Sequence, residues 1–116
     1  MITAQDLLNF ADNLCRNNET DDRVCINRAY YAAMHKSLEN AQNNGYKLDR
    51  HEAGGAHSNL IFFYEKQADD NSLLIADLLR KLKRRRQQAD YCLTESVFSS
   101  HAMTAIRQAK EIFALT

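Results

Sequence analysis

Arg28 and His35 are the two residues of this sequence whose types and spacing can together carry a reaction. They stand seven positions apart, nearly two turns at 3.6 residues per turn. On a helix both therefore point the same way, about 10 Å apart along the axis. Arginine is permanently charged and offers a fork of donors that matches phosphate oxygens. Histidine titrates near neutral pH and can take or give a proton. Such a pair suits cleavage of an RNA chain. A base removes the 2′-hydroxyl proton, the oxygen attacks the adjacent phosphorus, and the guanidinium stabilises the charge that grows on the phosphate. The reaction needs no metal, and the sequence offers no convincing metal site. The plainer alternative is a helix-face charge and a packed imidazole.

The elements that must position this pair are helices. Residues 22–42 are expected to form the helix that carries it. There Ile26, Tyr30, Ala33, Met34, Leu38 and Ala41 make one apolar stripe. Asp21 or Asp22 starts it, where negative charge complements the helix dipole. Asn43, Asn44 and Gly45 give a C-cap and turn. Arg28, Tyr31, Ala32 and His35 form a second face, free to meet a partner chain or a ligand. Upstream, Thr3 caps a first helix with Asp6 as its capping-box partner, and Leu7, Phe10, Ala11 and Leu14 recur at helical spacing. Downstream, residues 46–55 read as a loop. A third helix covers about 57–67, and residues 69–72 form a linker and cap. A fourth helix covers about 72–90, with Ile75, Leu78, Leu79 and Leu82 inward. Thr94 or Ser96 begins a fifth, which buries Phe98, Ala102, Ala105, Ala109 and Ile112. The expected fold is all-α, a single-domain bundle of four to five helices.

The fourth helix carries the strongly basic run Arg80-Lys81-Leu82-Lys83-Arg84-Arg85-Arg86. Most of these charges project outward, as a solvated face or as a phosphate-tracking patch beside the cleft, with Arg84 and Arg85 among its RNA-binding members. Arg86 differs from its neighbours. It lies four residues after Leu82 and three before Ala89, on the inward stripe. A buried charge needs a partner, and Asp90 is one turn away. The pair is read as structural, with a second part in orienting the site, and Tyr91 as packing or hydrogen-bonding near the second helix. His101, between Phe98 and Ala105 on an apolar face, reads as a core histidine. His51, Glu52 and His57 match no familiar metal spacing, and His57 fits the edge of the cleft. The run Phe62-Phe63-Tyr64 exceeds one core face and is expected mainly inside the bundle.

Composition fits this architecture. The chain has 116 residues, no proline and three glycines, which disfavours a turn-rich β-sandwich or a glycine-rich phosphate loop. Fifteen basic residues balance fifteen acidic ones, so net charge gives no long-range pull toward nucleic acid or an anionic membrane. No stretch approaches the ~18 apolar residues of a membrane span, and MITAQDLLNF lacks the features of a signal peptide. Cys15, Cys25 and Cys92 form no CxxC pair and read as free thiols. A cytoplasmic protein without membrane association is expected.

The segment Arg28-Ala29-Tyr30-Tyr31-Ala32-Ala33-Met34-His35 resembles the signature of the HEPN family, small all-α domains that often carry Arg-x4–6-His on their second main helix. It is closest to a branch reading S-R-A-Y-Y-A-x-F-H, with Asn27 in place of the Ser and Met34 in place of the Phe. The run from Arg86 to Tyr91, RQQADY, is similar to that branch's later R-x-x-A-D-Y. A weaker block is His57-Ser58-Asn59-Leu60-Ile61-Phe62. The three blocks fall in family order over about residues 20–115.

The resemblance implies a helical bundle that dimerises through its second helix and brings two Arg–His motifs to one cleft. It implies a metal-independent ribonuclease without cofactor, leaving 2′,3′-cyclic phosphate ends. Such a protein would be the toxin or effector half of a toxin–antitoxin or phage-defence module. Arg28 would bind phosphate and His35 act as general acid or base. Asn27, Tyr31, Arg84, Arg85, Arg86, Asp90 and Tyr91 would bind RNA or support the site. A small nucleotidyltransferase is the usual antitoxin partner. The sequence departs from the pattern at Ala29, where active members often carry a polar residue, and at Ser37, where a modifiable tyrosine would stand. The other reading is a non-catalytic interaction or nucleotide-binding module that pairs with a nucleotidyltransferase or a larger defence effector.

Overall fold

The computed structural model describes residues 1–47 and 55–116. Among these residues five helices follow one another: α1 (Ala4–Leu14), α2 (Glu19–Asn43), α3 (Ala56–Gln67), α4 (Asp70–Tyr91) and α5 (Ser99–Leu115). No strand occurs among the described residues. The expected all-α bundle is what forms. No described helix is long and apolar enough to cross a membrane.

Local chemistry sets the helix starts. The Asp6 N–H donates to Thr3 Oγ1 at 3.1 Å, and the Thr3 N–H donates to Asp6 Oδ2 at 2.8 Å, the reciprocal capping box expected. α2 begins at Glu19, earlier than Asp21 or Asp22, because the Asn18 side chain takes the Asp21 N–H at 2.8 Å. Asp69 caps α4 in the same way through the Ser72 N–H, so that helix begins at Asp70. At its far end α2 stops as expected. Asn44 is the C-cap, and Gly45 at φ +95° takes the left-handed turn that glycine adopts without a Cβ clash.

α5 begins at Ser99, later than Thr94 or Ser96, because other side chains hold the preceding segment. Arg23 donates to the carbonyls of Ala89 and Cys92 at 3.0 and 3.3 Å, and also to that of Glu95. These bonds satisfy carbonyls left open where α4 ends. Glu19 accepts the Val97 N–H at 3.1 Å, and Ser99 Oγ donates to Asp22 at 3.0 Å. Asp22 lies in the first turn of α2, where its charge complements the helix dipole as expected, and it is buried. It also takes the Arg16 N–H at 2.8 Å, closing the turn between α1 and α2.

α2 is the central element and packs against all four other helices. Cys25, Ile26, Ala29, Tyr30, Ala33, Ser37 and Ala41 are buried along it. Leu78, Leu79 and Leu82 of α4, together with Ala102, Ala105, Ala109 and Ile112 of α5, close the core. Each fully buried leucine contributes about 2 kcal/mol. Tyr64 of α3 is buried, donating its hydroxyl to the Ser37 carbonyl at 2.6 Å and accepting from Asn40 at 3.0 Å. Two expected core aromatics lie outside. Phe10 is exposed because Leu8, Ala11 and Cys15 make the contact line of α1. Phe98 is 61% exposed because the late start of α5 sends Val97 inward instead. Phe62 is exposed beneath the Lys66 ammonium, and Phe63 packs against Tyr46.

Candidate active site on the second helix

Enclosing α2 on most sides leaves one narrow stripe uncovered. Thr20, Val24, Arg28, His35 and Glu39 are exposed along it, with Tyr31 half-buried between Arg28 and His35. The second face expected there is therefore narrower than the sequence reading, since Ala32 is fully buried. Neither Arg28 nor His35 makes a hydrogen bond or ion pair among the described residues. Ala29 is also fully buried, so the position after the Arg points into the core.

The two exposed residues open onto different clefts. Arg28 lines one of about 480 Å³ with Asn27, Val24, Asp90 and Leu93, between α2 and the end of α4. His35 lines another of about 440 Å³ with Thr3, Leu7, Leu38 and Gln42, between α2 and the start of α1.

Behind the stripe runs a polar network. Asn27 Nδ2 donates to Asp90 Oδ2 at 2.9 Å. Arg86 Nε lies 2.9 Å from the same oxygen, an ion pair whose N–H is not aligned for a hydrogen bond. Arg86 Nη2 donates to Tyr31 Oη at 2.9 Å. The guanidinium lies 5.8 and 5.4 Å from the Tyr30 and Tyr31 ring centroids, and 5.5 Å from that of Tyr91. Arg86 thus turns inward and pairs with Asp90, as its place on the apolar stripe predicts, and its fork fixes Tyr31 between Arg28 and His35. Tyr91 touches the network from outside and is 72% exposed rather than packed.

His57 belongs to the same region, and the sequence placed it no more closely than a cleft edge. Its Nδ1 lies 2.6 Å from Tyr30 Oη, and its ring meets those of Tyr30 and Tyr31 edge to face. Burial, then the charges of Lys83, Arg86 and His35, hold its pKa below the ordinary value. Burial likewise pushes the Tyr30 hydroxyl up to about 12, against the pull of Arg86. Both partners are therefore neutral at pH 7. The sequence carries no signal of this contact, because His57 and Tyr30 stand 27 residues apart and the contact crosses from α3 to α2.

Arg84 and Arg85 do not join the cluster. Arg84 is two residues before Arg86, about 200° around the helix. With Arg85 it lines a groove between α4 and α5. His101 is only part-buried and caps the start of α5, accepting the Phe98 N–H on Nδ1 at 3.1 Å. It is not a core histidine. No three His, Cys, Asp or Glu side chains gather as a metal site among the described residues. His51 and Glu52 lie outside those residues.

No family model, curated protein or solved structure matches this chain.

Proposed function

We propose that this protein is a HEPN-type, metal-independent endoribonuclease, acting as a homodimer and serving as the toxin or effector half of a toxin–antitoxin or phage-defence module. One observation carries the reading. On a helix otherwise enclosed, the uncovered stripe offers one free guanidinium and one free imidazole, with Tyr31 locked between them by Arg86. Elsewhere arginines near α2 are spent on structure, Arg23 on carbonyls and Arg86 on Asp90. Arg28 is not.

A second copy completes the arrangement. In an isologous two-fold contact, residue i meets j and j meets i. The midpoint of Arg28 and His35 falls at Tyr31 and Ala32. Two antiparallel α2 helices crossing there set Arg28 of one protomer opposite His35 of its partner. His35 takes the 2′-hydroxyl proton and the 2′-oxygen bonds to phosphorus. The bond to the 5′-oxygen breaks, and that oxygen leaves as a hydroxyl after gaining a proton from solvent. Arg28 holds the phosphate oxygens throughout. The test is end chemistry. RNA fragments made in EDTA should carry 2′,3′-cyclic phosphate and 5′-hydroxyl ends. Ends of the opposite kind, or intact RNA from a folded dimer, contradict the proposal.

One observation favours a second reading. Val24 and Leu93, the latter 73% exposed, line the Arg28 cleft. An apolar rim around a cation suits a protein contact. On this reading the face docks a nucleotidyltransferase or a larger effector and cleaves nothing. A stoichiometric complex with such a partner, formed by a wild-type chain that leaves RNA intact, would favour it.

A further inference from the structure

The side of α4 turned away from Arg86 holds a separate groove of about 340 Å³, within the size range of small-ligand sites. Lys81, Arg84 and Arg85 line it from α4, and His101, Thr104 and Gln108 line it from α5. On each helix these residues recur three, four or seven positions apart, so each set forms one face. The two faces oppose one another. No carboxylate lines the groove, although the chain as a whole carries equal numbers of acidic and basic residues.

The cations are not spoken for. Arg84 makes no hydrogen bond or ion pair among the described residues. Lys81 pairs with Asp77 at 2.9 Å, but both side chains are about half exposed, and exposed pairs of this kind are weak. Arg85 Nη1 donates to Gln88 Oε1 at 2.6 Å, which leaves the Gln88 amide nitrogen to donate elsewhere. His101 Nδ1 accepts a backbone N–H, so its neutral ring carries the proton on Nε2 and is a donor there. Burial and then the Arg85 charge hold the His101 pKa below its ordinary value, the latter the effect of a positive local potential.

We infer that this groove is a second phosphate-binding site, taking a phosphoryl group of a nucleotide or of an RNA strand through Lys81, Arg84 and Arg85. Two guanidinium forks, an ammonium, a hydroxyl and amide donors exceed what one carboxylate can use. They match a phosphate, which offers three or more acceptor oxygens and up to two charges. The site is independent of the α2 stripe and of any reaction there.

The test uses the full chain and two probes, ATP and a 2′-O-methyl RNA 12-mer that cannot be cleaved, each titrated calorimetrically in about 50 mM salt, where phosphate contacts are strong. The double variant Arg84→Gln/Arg85→Gln should weaken binding at least tenfold. Arg107→Gln/Lys110→Gln, which removes the same charge from another cleft of α5, should leave it within twofold. Loss of affinity for ATP alone assigns the site to free or terminal phosphates, loss for the RNA alone assigns it to the strand, and loss for both assigns it to a phosphoryl group in either setting. Equal binding by wild type and the Arg84/Arg85 variant, equal losses in both double variants, or no binding of either probe would overturn the inference.

Discussion

Arg28 and His35 rise from the same uncovered stripe of α2, yet each opens onto its own cleft, one against the end of α4 and the other against the start of α1. In the proposed dimer, one chain would present half a site at each end of the stripe. If two copies pair across Tyr31, chains of Arg28→Ala and His35→Ala are inactive alone but complement one another when mixed. Each mixed dimer regains one intact site, so random exchange should restore about a quarter of wild-type cleavage. No recovery from a mixture shown to contain mixed dimers would mean that Arg28 and His35 of one chain work together.

Arg86 should matter more for stability than any other cation of its basic run. It meets Asp90 and Tyr31 at once, and the side chains of the Arg86–Asp90 pair are only 16% and 23% exposed. Arg86→Lys keeps the charge but loses the fork, and should cost about 1 kcal/mol, or roughly 4 °C in Tm. Arg84→Lys should leave Tm unchanged. A melt in which both variants match wild type would contradict the network.

His57 makes stability depend on pH. Its folded pKa is lowered, so below about pH 6.5 the unfolded chain binds a proton that the folded chain resists. Stability from this group is complete above that pH and declines as pH falls toward the folded value. His101 is shifted in the same direction and adds to the slope. Tm should thus fall as pH drops from above to below about 6.5, and less steeply in His57→Gln, which can still meet Tyr30. An unchanged slope in that variant would remove His57 from the account.

Ala68 ends α3 at φ +60°, a left-handed conformation that carries a Cβ penalty. Ala68→Gly should stabilise the protein by up to about 1 kcal/mol, read as a higher urea midpoint. A lower midpoint would show that the unfolded chain's gain in freedom outweighs the relief.

Helix content and the inward stripes of α4 and α5 were legible because apolar residues recur at helical period, as at Ile75, Leu78, Leu79 and Leu82. The Arg86–Asp90 pair was legible because a charge on an apolar stripe needs a local partner. What escaped was long-range. Asp22 is buried because Ser99 and the Arg16 N–H reach it from other elements, and Arg23 is drawn to the end of α4. Neither contact leaves a periodic trace. The basic run read as one patch because a sequence shows adjacency, whereas the helix sends Arg84 and Arg86 to nearly opposite sides.

The central claim is that His35 moves the proton in a metal-independent cleavage. The most direct test is single-turnover cleavage of a mixed tRNA and mRNA pool in EDTA, with wild type and His35→Ala side by side and Tm measured for both. The account predicts fragmentation by wild type and a rate at least about 100-fold lower in the variant, with Tm unchanged because His35 is exposed and unbonded. Equal cleavage by the two proteins, or intact RNA in both lanes from folded dimers, would contradict it.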